Sequence, residues 1–231
     1  MTGPDATTVS CASCPSRPRC VLSAVEPEAL RRFAPCGQRV RFERGTTIVH
    51  EGTPSTGWVI LCHGRARLTV STEDGKRLLL RFCGPGELLA GSLSGPHGLS
   101  VTAASRCVVG FVPREHVLDF GRRCPELLAA AHLRWEERER ALTKRLVDLA
   151  YASTRRRLVR VLLELAEEHG VREGAKMRIE LPLLLGDLAG MIGASRQTTC
   201  EEVQLLRAEG LIEVAWPRVF RADVEHLRQL S

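Results

Sequence analysis

The sequence predicts an α+β protein with three successive parts: an antiparallel β-sandwich or barrel, a long helix, and a C-terminal helix-turn-helix with a two-stranded wing. Three observations support this prediction. Short alternating apolar runs, separated by glycine-rich turns, fill residues 26–113. The stretch from Pro125 to Tyr151 contains neither glycine nor proline, and two short amphipathic segments flank Gly193.

The β part is indicated by the close and regular spacing of its apolar runs. Asp74-Gly75, between two such runs, is a strong signal for a hairpin, because these residue types adopt positive φ easily. Many short strands joined by tight turns are typical of an antiparallel sandwich or barrel. The predicted strands are Arg39–Phe42, Gly57–Leu61, Ala66–Val70 and Arg77–Phe82.

The long helix is predicted to begin at Pro125, a residue type that fits the first helical turn. Its leucines recur at approximately helical spacing among charged residues, and such a helix cannot bury its apolar stripe alone. A partner helix from a second copy is the economical solution, so the sequence predicts a homodimer; packing against the chain's own β part is the alternative. These leucines are Leu128, Leu133, Leu142, Leu146 and Leu149.

The C-terminal part begins with an amphipathic helix, Thr154–His169, which Gly170 is predicted to end. A shorter helix over Gly186–Ile192 is followed by Gly193, where a tight turn between two helices needs a residue without Cβ. Ser195 is placed to cap the next helix. The pattern predicts a helix-turn-helix; an ordinary helical hairpin is the alternative reading.

The second helix of this motif would present polar side chains on its first turns, where a recognition helix meets base edges. Two short apolar runs, Ile212–Val214 and Val219–Arg221, predict a wing behind it. The exposed candidates are Arg196, Gln197, Thr198, Cys200 and Glu201.

Composition limits the class of protein. The net charge is +6, yet basic and acidic residues balance from Tyr151 to Ser231, so bulk charge does not itself predict DNA binding. The local run Arg155, Arg156, Arg157 and Arg160 is either a phosphate-contacting surface or a solvated helix face. No stretch is apolar enough to span a membrane and no signal peptide is recognisable, so we expect a cytoplasmic protein.

No catalytic motif is present in the sequence. A nucleophile elbow, a P-loop and an HExxH motif are all missing, and the seven histidines are scattered. We therefore expect no enzyme and no catalytic residue. The nine cysteines, in a chain without an export signal, indicate metal ligands, redox switches or buried apolar residues rather than structural disulfides.

Three segments together resemble the Crp/Fnr superfamily. They are GPGELLAG from Gly84, LAYASTRRRLVRVLLELA from Leu149, and IGASRQTT with LLRAEGLI from Ile192. The resemblance implies a β-roll of the cyclic-nucleotide-binding type, a dimerisation helix and a winged helix-turn-helix that binds a palindromic DNA operator, with RNA polymerase as a candidate partner. The implied divisions are a cysteine-rich arm (1–24), the β-roll (25–124), the dimerisation helix (125–152) and the DNA-binding domain (153–231).

The resemblance also implies which side chains read DNA. Arg196 matches the family's first base-contacting position, and an arginine there would bind guanine through O6 and N7. The position usually held by glutamate is Gln197, and a position usually held by arginine is Glu201, so we expect a different half-site from that of the best-known members. Ser195 and Thr198 complete the expected DNA-binding set.

Cyclic nucleotide binding is not favoured. Gly86 and Glu87 match the start of the family's phosphate-binding cassette, but the arginine expected about ten residues later is missing from Ser94–Ser100. Without it a cyclic phosphate would lose its charge-assisted hydrogen bond. Glu87 is then interpreted as a structural turn residue.

An iron–sulfur cluster is the favoured signal receptor. Cys11, Cys14 and Cys20 have the spacing of the three N-terminal ligands in the fumarate-nitrate reduction regulator type, and a [4Fe–4S] cluster takes four thiolates. The position that corresponds to its fourth ligand is Gly110, and Cys107, three residues earlier, is the first choice for the fourth ligand. Cys124 and Cys36 are the next choices, whereas Cys62, Cys83 and Cys200 are interpreted as buried or half-exposed filler.

The sequence is also compatible with other means of sensing a signal. The same cysteines would suit a zinc site or a thiol–disulfide switch. A haem or a small organic ligand bound in the β-roll is a further alternative.

Overall fold

The computed structural model describes residues 11, 14–33, 38–75, 77–174, 176–215 and 219–231. They form two compact units, Met1–Glu139 and Arg140–Ser231. The division falls inside one long helix. The domain limits implied by the sequence stay predictions.

The first unit begins with two short 3-10 turns, Arg17–Arg19 and Val21–Ala24. Eight strands and three helices follow, and α3 continues into the second unit. In chain order these are α1 (Pro27–Phe33), β1 (Gln38–Phe42), β2 (Thr47–Val49), β3 (Gly57–His63), β4 (Ala66–Ser71), β5 (Arg77–Cys83), β6 (Leu88–Ala90), β7 (Ser100–Ala103), β8 (Cys107–Pro113), α2 (Arg114–Arg123) and α3 (Pro125–Tyr151).

The strands form two antiparallel four-stranded sheets. The first has the order β1-β8-β3-β6 and the second the order β2-β7-β4-β5. Because the order mixes early and late strands, the chain rolls over itself, as the β-roll prediction requires. The predicted hairpin at Asp74-Gly75 is confirmed, since β4 pairs with β5 and Gly75 has a φ of 79°.

Strand β3 separates two apolar clusters because its side chains alternate between the two faces of the sheet. Val59 and Leu61 point into the core between the two sheets. Trp58 and Ile60 point to the outer face, where the 3-10 turns cover them with Val21 and other apolar residues. The two 3-10 turns therefore form part of the fold of the β-roll unit.

The sequence prediction found the longer strands and missed the shorter ones. Strands β1, β3, β4 and β5 agree with prediction to within two residues, whereas β2, β6 and β7 span only three or four residues. Such short runs give no alternation long enough to recognise. Helices α1 and α2 are also missing from the prediction.

The long helix α3 is confirmed with the predicted start. Apolar side chains at seven-residue intervals are exposed along it: Leu128, Trp135, Leu142 and Leu149. Leu133 is exposed as well, although it lies away from this line. Among the helices that the structure describes, none combines the length and apolar composition needed for a membrane span.

The second unit continues α3 into a mixed helical and β domain, with a four-stranded sheet of order β11-β12-β10-β9. Helix α4 ends at Gly170, as predicted. The predicted wing strands are confirmed as the pair β11–β12, and the wing tip at residues 216–218 lies outside the described residues. The elements are α4 (Thr154–His169), β9 (Gly170–Glu173), β10 (Lys176–Glu180), α5 (Leu185–Ile192), α6 (Arg196–Ala208), β11 (Ile212–Ala215), β12 (Val219–Ala222) and α7 (Val224–Gln229).

Candidate functional site

A cavity of about 60 Å³ lies between the N-terminal 3-10 turns and the outer face of the first sheet. We call it the cysteine cavity, and we call the described residues 11 and 14–24 the cysteine arm. Four of the lining residues are cysteines, three from the arm and one from strand β3. The lining consists of Cys11, Cys14, Ser16, Arg17, Cys20, Leu22, Arg39, Ile60, Leu61, Cys62, Gly86, Gly110 and Val112.

Backbone hydrogen bonds give the cysteine arm its shape. The amide of Arg17 donates to the Cys14 carbonyl at 3.0 Å, and the amide of Cys20 donates to the Arg17 carbonyl at 2.9 Å. The Arg17 guanidinium donates to the Val25 carbonyl at 2.7 Å. These bonds fold the arm back on itself, so that cysteines separated by up to nine residues face one cavity.

Gly86 lets the arm approach the sheet. Its φ of 95° is in the left-handed region, and an added Cβ would lie 2.9 Å from the Ser16 carbonyl oxygen and 3.1 Å from the Cys20 amide nitrogen. A side chain here would displace the arm. The glycine at the start of the expected phosphate cassette thus serves the packing of the cysteine arm.

Cys62 reaches the cavity because it follows Trp58 and Ile60 on the outer face of β3. Ile60 pairs with Gly110 on the neighbouring strand β8. A Cβ added to Gly110 would lie 3.4 Å from the Cys62 Sγ. The Cys62 sulfur therefore lies beside the position at which a side chain of residue 110 would begin.

Cys107, which the sequence favours as the fourth ligand, does not line the cavity. Alternation along β8 places Cys107 and Val109 in the core between the sheets, opposite in direction to Gly110. Its thiol donates to the Arg65 carbonyl at 3.0 Å and to the Ser105 carbonyl at 3.3 Å. Positions 107 and 110 differ by three, and an odd difference along a strand places two side chains on opposite faces of the sheet.

The other cysteines take different places. Cys124 packs at the edge of the outer cluster, and its thiol donates to the Glu126 carboxylate at 3.3 Å. Cys83 is buried in the roll, as predicted, and Cys200 is half-buried on α6. Cys36 lies outside the described residues. None of the eight described cysteines forms a disulfide.

The electrostatic environment of the cavity combines burial with one nearby cation. Burial, with small contributions from neighbouring thiols, raises the pKa of Cys20 to about 11 and that of Cys62 to about 11, against a lowering effect of Arg39 on Cys62. The Arg39 guanidinium donates to the Cys11 Sγ at 3.2 Å. In the absence of a bound group these two thiols are protonated, and a metal group would have to displace their protons.

The donor set of the cavity is chemically suited to an iron–sulfur cluster. Four thiols face it, and its remaining walls are largely apolar, through Leu22, Ile60 and Val112. Soft thiolates select iron–sulfur clusters, zinc or copper(I) over hard cations. Within the described part of the chain, no three His, Cys, Asp or Glu side chains converge as ligands of a single metal ion.

Glu87 is bound within its own turn. Its carboxylate accepts from the Gly84 amide at 2.6 Å and pairs with Arg81. Burial would raise the pKa of Glu87, but the Arg81 charge and the Gly84 hydrogen bond together hold it below its usual value. This agrees with the interpretation of Glu87 as a structural turn residue.

The cysteine arm also contacts the beginning of α3. The Arg134 guanidinium donates to the Arg19 carbonyl at 3.4 Å, one residue before Cys20. Ala130 and Ala131 pack against the same outer cluster as Cys11 and Cys20. A change in the position of the arm would therefore alter the packing of the first half of α3.

The helix-turn-helix is formed by α5 and α6 in the second unit. Gly193 ends α5 with a φ of 61° and a ψ of 46°, the left-handed conformation that the turn requires. The Ser195 hydroxyl caps α6 by accepting from the Thr198 amide at 3.0 Å. The predicted turn glycine and cap are both confirmed.

The inner face of the motif is apolar and its outer face is polar, as predicted. Leu188 and Ile192 of α5 are buried together with Val203 and Leu206 of α6. Ser195, Arg196, Gln197 and Glu201 are exposed, and Thr198 is half-buried.

Two contacts organise the outer face of α6. The Gln197 amide donates to the Glu201 carboxylate at 3.1 Å. The Arg196 guanidinium lies over Gly186, where an added Cβ would come within 3.1 Å of it. The face thus presents one cation beside a hydrogen-bonded polar pair.

The arginine run on α4 is engaged within the second unit. Arg155 pairs with Glu209, and Arg160 pairs with Asp148. Arg157 donates to the Ile192 carbonyl at 2.7 Å and to the Ala152 carbonyl at 2.8 Å. Arg156 donates to the Ser231 oxygen at 2.9 Å. These contacts join the run to other residues of its own unit, and Arg156 remains exposed. Both sequence interpretations of the run stay predictions.

Sequence reasoning missed Cys62. The signal that could have found it was strand parity: extending the predicted strand Gly57–Leu61 by one residue places Cys62 on the face of Trp58 and Ile60. That this face is covered by the cysteine arm is tertiary information, which parity alone does not give.

Comparison with known proteins covers both units. Residues 39–124 match the family model of the cyclic nucleotide-binding domain, and residues 156–230 match that of the Crp-like helix-turn-helix domain. The chain is 28% identical over 211 residues to a CRP-like cAMP-activated global transcriptional regulator of Mycobacterium tuberculosis, covering 90% of this chain and 94% of that one. It is also 28% identical over 222 residues to the nitrogen fixation regulation protein FixK of Bradyrhizobium diazoefficiens, covering 96% and 93%.

A solved structure shares the fold. The structure of FixK2 from Bradyrhizobium japonicum matches with a TM-score of 0.74 at 19% identity, covering 84% of this chain and 97% of that one. At this identity the match supports the fold alone.

Proposed function

Because the chain belongs to the Crp/Fnr superfamily of transcriptional regulators, we propose that it is a cytoplasmic, homodimeric DNA-binding regulator that responds to oxygen or nitric oxide through a [4Fe–4S] cluster. The observation that carries the sensing proposal is the cysteine cavity, where Cys11, Cys14 and Cys20 meet a fourth thiol. When bound, such a cluster supplies reactivity toward these gases.

The DNA-binding role is supported by the outer face of α6. Arg196 would bind guanine through its O6 and N7 atoms, which is the commonest specific contact of arginine with DNA. Gln197 and Glu201 would read neighbouring bases, with Glu201 as an acceptor for a cytosine amine. Ser195 and Thr198 hold the first turn of the helix in place for these contacts.

Dimerisation through α3 is supported by its exposed apolar line. Leu128, Trp135, Leu142 and Leu149 recur at the seven-residue interval of a two-helix interface. A second copy of the same helix would cover them. The helix-turn-helix of each copy would then bind one half of a palindromic operator. RNA polymerase is a candidate further partner once the dimer is bound to DNA.

The coupling between signal and dimer is assigned to the cysteine arm. With its thiols bound to a common group, the arm keeps Arg19 against Arg134 and its apolar side chains against Ala130 and Ala131. With the thiols released, the arm loses this anchorage and the packing of the first half of α3 weakens. The dimer equilibrium, and with it the affinity for DNA, changes accordingly.

The first experiment is purification without oxygen. We expect about four irons and a matching amount of acid-labile sulfide per chain, with a broad visible absorption band that bleaches in air. A colourless protein that contains zinc, or one whose cavity cysteines oxidise reversibly to disulfides, would contradict the cluster and favour a zinc or thiol switch. Either result leaves the DNA-binding part of the proposal in place.

The second experiment tests DNA binding separately. Duplexes selected from a randomised library by the dimer should share a palindrome, and affinity for them should fall as salt is added. Failure to enrich any sequence, with the protein folded and dimeric, would contradict the DNA-binding role and favour a regulatory module that acts on another protein.

A further inference from the structure

We infer that Cys62, on strand β3, supplies the fourth sulfur ligand of the cluster. The inference rests on the proposed function and deepens it, because it assigns the ligand that completes the set. It also replaces Cys107, which the sequence had favoured.

Cys62 has a position suited to a fourth ligand. Cys62 lines the same cavity as Cys11, Cys14 and Cys20, and it stands on the sheet face that the arm covers. The register between β3 and β8 shifts between Leu61 and His63, so Cys62 lies at an irregularity in the ladder. Cys62 is the extra residue at this bulge, and its side chain stays on the face of Ile60, toward the cavity.

Gly110 leaves space beside the sulfur of Cys62. With no side chain at residue 110, the Cys62 sulfur lies 3.4 Å from where a Cβ would stand. A bulky residue at 110 would extend into the volume beside this sulfur. Gly110 and Cys62 are thus complementary, because β8 leaves space at residue 110 and the neighbouring β3 supplies the thiol.

The sulfur of Cys62 makes only a long hydrogen bond. The hydrogen bond from its thiol to the Ile60 carbonyl is 3.9 Å long, whereas the Cys107 thiol makes two shorter bonds to carbonyls in the roll. Cys62 can therefore rotate toward a bound group at little cost. On binding, each of the four thiols releases one proton and contributes one thiolate.

The experiment compares single-cysteine variants of the full chain after anaerobic reconstitution with ferrous iron and sulfide. The variants are Cys62→Ala, Cys107→Ala and Cys124→Ala, with the wild-type protein alongside. Iron and sulfide per chain and the visible spectrum are measured, and circular dichroism reports whether each variant is folded. We expect Cys62→Ala to retain less than half of the wild-type iron and the other two variants to retain all of it.

A double variant, Cys62→Ala with Gly110→Cys, guards against simple loss of folding. Because the residue-110 Cβ would stand next to the vacated sulfur position, we expect this cross-strand exchange to restore iron to near the wild-type amount. Full loading of Cys62→Ala would overturn the inference, as would loss of iron in Cys107→Ala or Cys124→Ala instead. If the wild-type protein itself takes up no iron, the proposed sensing function fails, and this inference fails with it. If the wild-type protein and Cys62→Ala take up equal amounts of iron, the assignment of Cys62 fails and the sensing function stands.

Discussion

Arg39 on β1 donates a hydrogen bond to the Sγ of Cys11 at 3.2 Å, so one arginine joins the sheet to the most N-terminal described cysteine. It is also the charge that lowers the pKa of Cys62 against the effect of burial. Arg39 therefore acts on one cysteine of the arm and one of the sheet, and its charge would offset that of thiolates bound to a cluster.

Removal of this cation should weaken iron binding. We expect Arg39→Gln to lower the apparent affinity for iron about tenfold, since a hydrogen bond to a charged group contributes roughly 1.5 kcal/mol or more. The measurement is competition with an iron chelator under anaerobic conditions. Arg41→Gln is the matched control, because Arg41 is exposed on the same strand and does not line the cavity. Equal weakening by both variants would show that only overall charge matters.

The outer face of α6 predicts a base contact at Arg196. We expect Arg196→Ala to reduce affinity for the selected operator by about 5- to 150-fold, equivalent to ~1–3 kcal/mol, and to relax preference at one base pair. Fluorescence anisotropy with labelled duplex measures both. Arg207→Ala, in the last turn of the same helix and bonded to Gln204, is the control and should have little effect. Unchanged affinity in Arg196→Ala would remove it from the base-reading set.

The turn between α5 and α6 should be sensitive to a single methyl group. Gly193 has positive φ, and an added Cβ would lie 2.5 Å from the Leu149 Cδ2, so we expect Gly193→Ala to lower the free energy of unfolding by about 1–2 kcal/mol. Urea denaturation measures this. Gly98→Ala is the control, because no atom lies within 4 Å of an added Cβ there. A neutral result at Gly193 would mean that the turn can reach another conformation.

The ion pair of Glu87 predicts a pH-dependent contribution to stability. Its pKa in the folded protein is below the ordinary value of 4.5, so the stabilisation is complete well above pH 4.5 and is lost as pH falls through the lowered value. We expect Glu87→Gln to be less stable than wild type at pH 7 by about 1–3 kcal/mol and the difference to shrink at pH 4 and below. Urea unfolding at the two pH values tests this.

Glu43→Gln serves as the control for Glu87, because Glu43 pairs with Arg106 on the exposed surface. Exposed pairs contribute little, so this variant should match wild type at both pH values. A Glu87→Gln deficit that stays constant with pH would indicate a packing defect and not a lost charge.

The exposed line on α3 predicts a dimer contact at Leu142. We expect Leu142→Glu to shift the protein to monomers at micromolar concentration, since it places a charge in a helix–helix interface. Light scattering after size exclusion measures the mass. Lys144→Glu is the control, because two residues turn an α-helix by about 200° and so carry residue 144 away from the line. Retention of the dimer in Leu142→Glu would move the interface elsewhere.

Local signals predicted more of this molecule than long-range ones did. Gly193 and Ser195 indicate the helix-turn-helix, because a left-handed turn and a helix N-cap need particular residue types at particular positions. The sequence did not indicate Cys62 as a residue of the cavity, because its place there depends on the contact between the arm and one face of β3. That contact joins residues about fifty positions apart, and no local pattern encodes it. The roles expected of Arg196, Gln197 and Glu201 stay predictions.

The contacts made by the arginines of α4 have a consequence for the affinity of this protein for DNA of arbitrary sequence. Four cations make contacts within the second unit, and the basic and acidic residues from Tyr151 to Ser231 balance. Attraction to arbitrary sequence should then be weak, because that attraction is almost entirely electrostatic. Molecules would spend little time on irrelevant chromosome, and a small number of copies per cell would suffice to keep an operator occupied.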